Sequence, residues 1–243
     1  RAYDQIVHDV ALQRLPVTFA LDRGGLVGAD GKTHQGAFDL SYLRCVPHLV
    51  VMAPSDENEL RHALATAIQH DGPVAFRFPR GSALGLALDP TPAALPIGRA
   101  RVLRRPARPD VLLAAAGTAA HAAQAAAEAL AAEGTEAAVV DARFVKPLDE
   151  ETICGIAAQA RRVVTVEENA LAGGFGSACL EAFERAGLLE KGLRVRRLGI
   201  PDRFVTHGDP QRQRAELGID AAGIAAAARE LAGAGEGSER GVA

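Results

Sequence analysis

Cysteine is scarce in this sequence of 243 residues, which contains Cys45, Cys154 and Cys179 and no others. The three lie far apart, with no CxxC pair and no histidine at the spacing of a zinc site. Three isolated cysteines exclude a disulfide-stapled domain and a zinc ribbon. We predict small apolar thiols, buried in a protein of a reducing compartment.

Long apolar runs and a strong charge of one sign are also absent. No stretch approaches the roughly 18 uninterrupted apolar residues that a transmembrane helix requires. The Ala-rich segment 111–132 comes nearest, but Gly117, His121, Gln124 and Glu128 interrupt it. The net charge of -3 argues against a general nucleic-acid-binding protein, because such proteins present a basic face. Since we identify no signal peptide, we expect a soluble, cytoplasmic protein.

The sequence does contain enough apolar residues for a sizeable core. Hydrophobic residues make up 48% of the chain, which excludes disorder of the whole molecule. The chain starts at Arg1, without an initiator Met and without a helix cap, directly before apolar residues at helical spacing. We therefore expect this sequence to be part of a longer polypeptide.

Short apolar runs alternate with helical patterns along the chain. Such runs are typical of strands that are buried on both faces. The predicted strands are Val17–Leu21, Leu49–Ala53, Val74–Phe78, Val111–Ala115, Ala137–Asp141, Val163–Val166 and Val195–Leu198. The predicted helices, after one at the start, cover about 55–70, 118–134, 149–160, 177–186 and 220–231. Strands separated by helices imply parallel pairing, which predicts an α/β fold with two doubly wound parallel-sheet domains.

A change in composition marks the boundary between the two halves. Residues 89–110 are rich in Pro and Arg and have no helical period, which is typical of a linker, although a short strand near 100–103 fits as well. We expect one domain over 1–88, a second over 111–232, and a disordered tail over 233–243.

Two arginines follow predicted strands of the first half. Arg23 comes after the strand that ends at Leu21, and Arg80 comes after the strand that ends at Phe78. Parallel sheets bind ligands at the carboxyl ends of their strands, so the two guanidinium groups are candidates for a phosphate or carboxylate clamp. Pairing of each arginine with a nearby carboxylate such as Asp22 is an equally good interpretation of the spacing.

The Gly-rich loop after the first strand also carries Asp30 and His34. Histidine is well suited to proton transfer near neutral pH, and a neighbouring carboxylate can orient its ring. The pair is a weak signal for a catalytic site. We expect His62 and His70, on the exposed side of a helix, to be solvated, and we assign no role to the other histidines.

A second Gly-rich loop, Gly173–Ser177, follows Glu167-Glu168-Asn169 and precedes a helix. Backbone N–H groups at a helix N-terminus bind anions. The loop departs from GxGxxG and has no acidic ribose partner about 20 residues further on. We favour tight loop packing or a subunit contact here.

Together, several segments resemble one enzyme family. They are Asp22–Asp39 (DRGGLVGADGKTHQGAFD), Leu40–Pro47 (LSYLRCVP), Met52–Glu59, Arg77–Gly81, Asp141–Asp149, Val166–Asn169 and Glu216–Asp220. The resemblance is to the 1-deoxy-D-xylulose-5-phosphate synthases, thiamine diphosphate enzymes of the transketolase superfamily. It implies a partial pyrimidine-binding domain over 1–88 and a transketolase C-terminal domain over 111–232.

The family condenses pyruvate with D-glyceraldehyde 3-phosphate, releases carbon dioxide, and opens the non-mevalonate route to isoprenoids; its product also feeds thiamine and pyridoxal synthesis. The resemblance implies that Arg23 and Arg80 bind the acceptor's phosphate. It also implies that Asp30 and His34 face the reacting carbons and assist proton transfers, and that Arg1 lies near the donor end of the site.

The resemblance further implies the cofactors thiamine diphosphate and Mg²⁺, and a homodimer. The family's GDG-type diphosphate motif and its activating glutamate do not occur in this sequence. We therefore expect both cofactors to be held mainly by a preceding N-terminal portion, with no cofactor-binding or metal residue assigned in this chain. We expect the chain alone to be inactive.

Three alternatives to a fragment of such a synthase stay open. The first is another transketolase-like enzyme or a 2-oxo-acid dehydrogenase beta-type thiamine protein. The second is a non-catalytic split subunit, although an intact loop with Arg23, Asp30 and His34 counts against degeneration. The third is an unrelated α/β module that binds an anion at Gly173–Ser177.

Overall fold

The computed structural model describes residues 2–233, so Arg1 and residues 234–243 of the predicted tail lie outside the described residues. Within that span the strands are β1 (Thr18–Leu21), β2 (Val50–Met52), β3 (Val74–Arg77), β4 (Arg101–Arg104), β5 (Val111–Ala116), β6 (Ala137–Asp141), β7 (Phe144–Lys146), β8 (Arg162–Ala170) and β9 (Arg194–Ile200). The α-helices are α1 (Ala2–Gln5), α2 (Asp39–Arg44), α3 (Glu57–Gln69), α4 (Ala119–Ala132), α5 (Glu150–Ala160), α6 (Phe175–Arg185), α7 (Pro210–Leu217) and α8 (Ala221–Gly233). Helix α1 continues as a π-helix over Ile6–Ala11, and Gly28–Asp30 form a 3₁₀ turn.

Two sheets form the centres of the two halves, and both are mostly parallel. The first has the strand order β1-β3-β2-β7 and the second the order β4-β6-β5-β8-β9. The predicted strands lie where expected, with bounds shifted by a few residues. The α/β fold with two sheets is therefore confirmed, and the helices cross over between parallel strands as the alternating pattern indicates.

Each sheet also has an antiparallel edge strand, which makes both sheets mixed rather than purely parallel. Strand β4 pairs antiparallel with β6, and β7 pairs antiparallel with β2. Strand β7 belongs to the second half by sequence but completes the sheet of the first half. At three residues it is too short for a periodic pattern to predict it.

An apolar core joins the two halves. Leu40, Leu43 and Val51 of the first half pack in one cluster with Leu112 and Phe175 of the second. All five side chains are buried. Because interiors are close-packed, this shared core holds the two sheets in a fixed relation, and residues of both can contribute to one site.

The end of the first half and the start of the predicted linker lie along helix α3. Glu57 and Thr66 on α3 accept hydrogen bonds from the backbone N–H groups of Leu86 and Leu95, at 2.8 and 2.7 Å. Further on, residues 101–104 form strand β4, the short strand that the sequence allowed.

His62 corrects an expectation. We expect a solvated side chain, but His62 is buried beneath the part of the predicted linker that contains Asp89 and Ala93. Its Nδ1 accepts a hydrogen bond from the N–H of Ala93 at 2.9 Å, and its Nε2 lies 2.8 Å from the Asp89 carboxylate. The helical pattern alone cannot reveal that an irregular segment covers this face.

Two helices were not predicted. Helix α2 has six residues, and α7 has a single buried side chain, Gln213. Helix α2 is too short to show a helical period, and α7 is too polar. No helix among residues 2–233 is both long and apolar enough to cross a membrane.

Candidate functional site

The candidate site lies at the carboxyl ends of β1 and β3, where Arg23 and Arg80 point at the same carboxylate. The Nε atom of Arg23 donates to Oδ2 of Asp30 at 3.1 Å. The Nε atom of Arg80 lies 3.2 Å from the same oxygen. The fold thus brings Arg80 to Arg23 and Asp30, which lie 50 or more positions before it in the sequence.

Both arginines remain accessible to a ligand. About half of each side chain is exposed, 47% in both cases, whereas Asp30 is 22% exposed. Arg23 also contacts Asp22 through Nη1 at 3.1 Å, the pairing that the spacing allowed. Arg23 therefore has two carboxylate partners, and Arg80 has Asp30. A dianionic phosphate suits two forked guanidinium groups at this spacing.

The loop that carries Arg23, Asp30 and His34 closes on itself at a narrow stem. Gly25 and Gly36 exchange two backbone hydrogen bonds, both 2.8 Å long. A Cβ atom on Gly36 would lie 2.0 Å from the carbonyl oxygen of Arg23. The stem therefore admits only glycine at position 36, and the close approach fixes the backbone that presents Arg23.

A buried ion pair supports this stem. Nη1 of Arg77 donates to Oδ1 of Asp39 at 2.8 Å and to the carbonyl of Gly36 at 3.2 Å. Both charged side chains are 7% exposed. Sequence reasoning did not single out Arg77, because a buried arginine inside a strand carries no local signature until its partner is known.

The second half of the chain also reaches the loop, through Glu168 at the end of β8. Its Oε2 accepts the N–H of Leu26 at 3.1 Å, and its Oε1 accepts Nε of Arg214 at 2.5 Å. Glu168 and Arg80 line a cleft of about 440 Å³ between the two halves. The sequence placed Glu168 in a motif but assigned it no function.

His34 lies on the exposed surface of the loop. Its Nδ1 is 2.9 Å from the hydroxyl of Thr33, and its backbone N–H donates to the carbonyl of Gly31 at 3.1 Å. Among residues 2–233, the structure gives the ring no bond to Asp30. His34 is accessible for proton transfer, but in this structure Thr33, and not a carboxylate, orients its ring.

The second Gly-rich loop is filled by the protein's own carboxylate. Glu167 accepts the N–H groups of Phe175 and Gly176 at 2.7 and 2.8 Å, at the start of α6. Burial raises the pKa of Glu167 to about 7, and the two N–H donors offset part of that effect. The loop is therefore tightly packed, as favoured, and the Glu167 carboxyl group occupies the N-terminus of α6.

Another cluster of charged side chains lies between the two halves, away from Asp30. Arg143 holds Glu59 through two hydrogen bonds of 2.7 Å, and Ser55 donates to the buried carboxylate of Asp141 at 2.8 Å. Burial raises the pKa of Asp141 to about 6. Local sequence reasoning missed this cluster because its members come from both halves.

His121 adds a weakly basic group to that cluster. Its Nε2 lies 3.6 Å from Oδ2 of Asp56, and interaction with this carboxylate raises the pKa of the imidazole, although burial opposes the effect. Burial alone would raise the pKa of Asp56, but His121, the N–H of Glu59 and the charge of Arg101 lower it overall.

Residues 2–233 contain no cluster of three or more His, Cys, Asp or Glu side chains that could bind a metal ion. Arg1, a predicted donor-site residue, lies outside the described residues.

Two family models match the chain. Residues 1–84 match the transketolase pyrimidine binding domain, and residues 98–224 match the transketolase C-terminal domain. The first match covers the first half of the chain and the second match covers the second half, with residues 85–97 between them.

Curated relatives match over nearly the full length of the chain. The 1-deoxy-D-xylulose-5-phosphate synthase of Anaeromyxobacter sp. (strain Fw109-5) is 69% identical over 244 residues, which cover 100% of this chain and 38% of that protein. Synthase 1 of Geobacter metallireducens is 56% identical over 94% of this chain and 36% of its own length. The chain thus spans a little over a third of these relatives, in their C-terminal part.

A solved structure has the same architecture. It is described as a split gene transketolase, an inactive beta4 tetramer, and it is 32% identical with a TM-score of 0.83. The match covers 95% of this chain and 72% of that one.

Proposed function

The chain belongs to the transketolase family, and on that premise we propose that it is the part of a 1-deoxy-D-xylulose-5-phosphate synthase that binds the phosphorylated acceptor. The complete enzyme would condense pyruvate with D-glyceraldehyde 3-phosphate and release carbon dioxide. We further propose a cytoplasmic homodimer that uses thiamine diphosphate and Mg²⁺, as the family does.

The convergence of Arg23 and Arg80 on one oxygen of Asp30 carries this proposal. The two Nε atoms lie 3.1 and 3.2 Å from that oxygen, so the guanidinium groups already surround a single anionic point. A phosphate with three oxygens would satisfy more of their N–H donors than one carboxylate does. An acceptor that carries a phosphate therefore suits the site better than a neutral aldehyde.

Asp30 and His34 would act beside the phosphate. When the phosphate takes the two arginines, Asp30 is free to accept a hydrogen bond from a hydroxyl of the acceptor. His34 is exposed on the same loop and would donate a proton to the acceptor's carbonyl oxygen as the new carbon–carbon bond forms.

Thiamine diphosphate, when bound in the complete enzyme, supplies the electron sink for the decarboxylation of pyruvate. The described residues of this chain contribute acceptor binding and proton transfer. The loop and the apolar core that holds it keep these groups on a rigid support, which favours a defined position for the acceptor.

A chimera tests the proposal. This chain would replace the matching C-terminal part of the Anaeromyxobacter sp. (strain Fw109-5) synthase, to which it is 69% identical. We expect pyruvate-dependent formation of 1-deoxy-D-xylulose 5-phosphate, with one carbon dioxide released per product. Unphosphorylated D-glyceraldehyde should be used about 100-fold less efficiently, because it cannot engage the arginines.

Equal use of the two aldehydes would overturn the phosphate assignment. Turnover with a sugar phosphate donor and none with pyruvate would instead identify an ordinary transketolase. The unmodified Anaeromyxobacter enzyme serves as the control for assembly of the chimera.

A second candidate function is that of a separate subunit in a split enzyme. The 32% identical split gene transketolase, whose beta4 tetramer is described as inactive, favours it. Intact mass of all polypeptides purified with the natural protein tests it. A companion chain that carries a diphosphate motif would support the split enzyme, and a single longer polypeptide would exclude it.

A further inference from the structure

We propose that Glu168, in the C-terminal half, is a positioning residue that sets the acceptor-binding loop against Arg80, and that Arg214 orients its carboxylate. This inference rests on the proposed function. It gives the C-terminal half, to which the sequence assigned no role, a part in substrate binding. Among residues 2–233, Glu168 makes no hydrogen bond to a predicted substrate-binding side chain.

The two oxygens of Glu168 serve different halves of the molecule. Oε2 accepts the N–H of Leu26, at the start of the loop, at 3.1 Å. Oε1 accepts Nε of Arg214 at 2.5 Å and lies 3.4 Å from the hydroxyl of Thr118. The Glu168 side chain is only 5% exposed, so each of these contacts is made away from water.

The contact with the loop is close as well as polar. Gly25 has a φ of +87°, and a Cβ atom there would lie 2.6 Å from Oε2 of Glu168. The backbone at position 25 therefore packs directly on the carboxylate. A shift of the carboxylate must be followed by the stem of the loop.

The main chain around Glu168 holds the other side of the same stem. The Glu168 carbonyl accepts Nη2 of Arg77 at 3.0 Å, and Nη1 of Arg77 donates to the carbonyl of Gly36. Two residues later, the N–H of Ala170 donates to the carbonyl of Ala37 at 2.7 Å. The end of β8 thus anchors both strands of the stem.

The two arginines reach Asp30 from different elements. Asp30 lies on the loop, and Arg80 follows β3 in the sheet. Arg23 lies between β1 and the stem, where the N–H of Gly24 also donates to the carbonyl of Phe78 at 2.8 Å. Their meeting point at Asp30 therefore depends on where Glu168 holds the stem. A displacement of about 1 Å is enough to weaken the binding of a small ligand between them.

Hydrogen exchange of the 243-residue chain tests the contact without any enzyme assay. In Glu168→Gln the carboxamide has one acceptor oxygen for two donors, and its NH₂ group must face the other donor. We expect exchange of the amides in residues 24–36 to accelerate about tenfold or more. Exchange in α6 should remain unchanged.

Glu167→Gln is the matched control. Glu167 is the adjacent buried glutamate, but it caps α6 and makes no hydrogen bond to the loop among the described residues. Its substitution should accelerate exchange in residues 174–178 and leave residues 24–36 unchanged. If Glu168→Gln and Glu167→Gln accelerate exchange over the same residues, Glu168 is a general stabilising residue and the proposal is wrong.

Kinetics of the chimeric synthase test the consequence for binding. Glu168→Gln should raise the KM for D-glyceraldehyde 3-phosphate about tenfold, with the KM for pyruvate changed less than about twofold. Arg214→Gln should shift the same KM in the same direction, about threefold, because the carboxylate loses its orienting partner. Arg212→Gln, whose guanidinium pairs with exposed Glu216, should change neither KM.

The two arms separate the two proposals. If Glu168→Gln accelerates amide exchange in residues 24–36 but the chimera makes no product, the positioning role is retained and the synthase function is rejected. A fully active chimera whose acceptor KM is unchanged by Glu168→Gln would retain the function and reject the positioning role.

Discussion

Arg23 and Arg80 meet at a single oxygen of Asp30, although 57 positions separate them in the sequence (80 minus 23). The spacing of the sequence left a ligand clamp and pairing with local carboxylates as equal alternatives. The structure shows the carboxylate pairing, and the shared carboxylate lies at the point where we propose that the phosphate binds. On that proposal, Asp30 competes with phosphate for the two guanidinium groups.

Replacing Arg80 should affect one substrate selectively. In the chimeric synthase, Arg80→Gln should raise the KM for D-glyceraldehyde 3-phosphate about 10- to 100-fold, since a hydrogen bond to a charged group contributes about 1.5–3 kcal/mol. The KM for pyruvate should stay nearly constant. Arg229→Gln, on the surface of α8 beside Glu133, is the control for a lost guanidinium. Equal losses for both substrates would reject the clamp.

Removing the competing carboxylate should strengthen phosphate binding. Titration calorimetry of the chain with inorganic phosphate should show about tenfold tighter binding for Asp30→Asn, which corresponds to about 1.4 kcal/mol. Asp22→Asn should give a smaller gain, because Asp22 contacts Arg23 and not Arg80. In the chimera, Asp30→Asn should nevertheless lower kcat, since Asp30 is proposed to contact the acceptor. Unchanged phosphate affinity would show that Asp30 does not occupy the anion site.

The stem of the loop should not tolerate a side chain at position 36. Gly36→Ala places a methyl group 2.0 Å from the carbonyl of Arg23, and we expect a loss of about 2–4 kcal/mol in the free energy of unfolding. Gly155→Ala is the opposite case, because Gly155 lies in α5 with open space around it. That substitution should stabilise the chain by about 0.5–1 kcal/mol. Urea unfolding measures both.

Asp141 should make stability depend on pH. Its folded-state pKa is raised by burial from 3.8 to about 6, so the folded protein binds a proton that the unfolded chain has already released. The contribution of Asp141 to stability must then fall as the pH rises from about 4 to about 6 and level off above, by about 3 kcal/mol in total. Asp141→Asn should remove this contribution, while that of Glu167, whose pKa is raised to about 7, remains.

Urea unfolding at several pH values checks that expectation. Relative to the unchanged protein, Asp141→Asn should gain stability as the pH rises through this window. Exposed Asp71→Asn should follow the unchanged protein at every pH. If Asp141→Asn shows the same pH dependence as the unchanged protein, Asp141 titrates near its ordinary value.

Much of the fold was predictable because the strands are buried on both faces. Val111–Ala115 is apolar throughout and Ala137–Asp141 is apolar up to its last residue, and these runs form strands β5 and β6. The helix predicted over about 149–160 is α5, and the carboxylate of Asp149 accepts the N–H of Thr152 at its start. Short or polar elements such as β7 and α7 were missed because they have no period to detect.

The sequence by itself determined which apolar runs form strands, where the longer helices between them lie, and that Arg23 and Arg80 follow strand ends. These properties depend on local composition and on period, which one stretch of chain contains completely. Only the tertiary structure decided that the arginines share Asp30, that His62 is buried, and that Glu168 reaches across to Leu26. Such contacts join residues 7 to 142 positions apart, and their energy depends on distance and burial that no local pattern records.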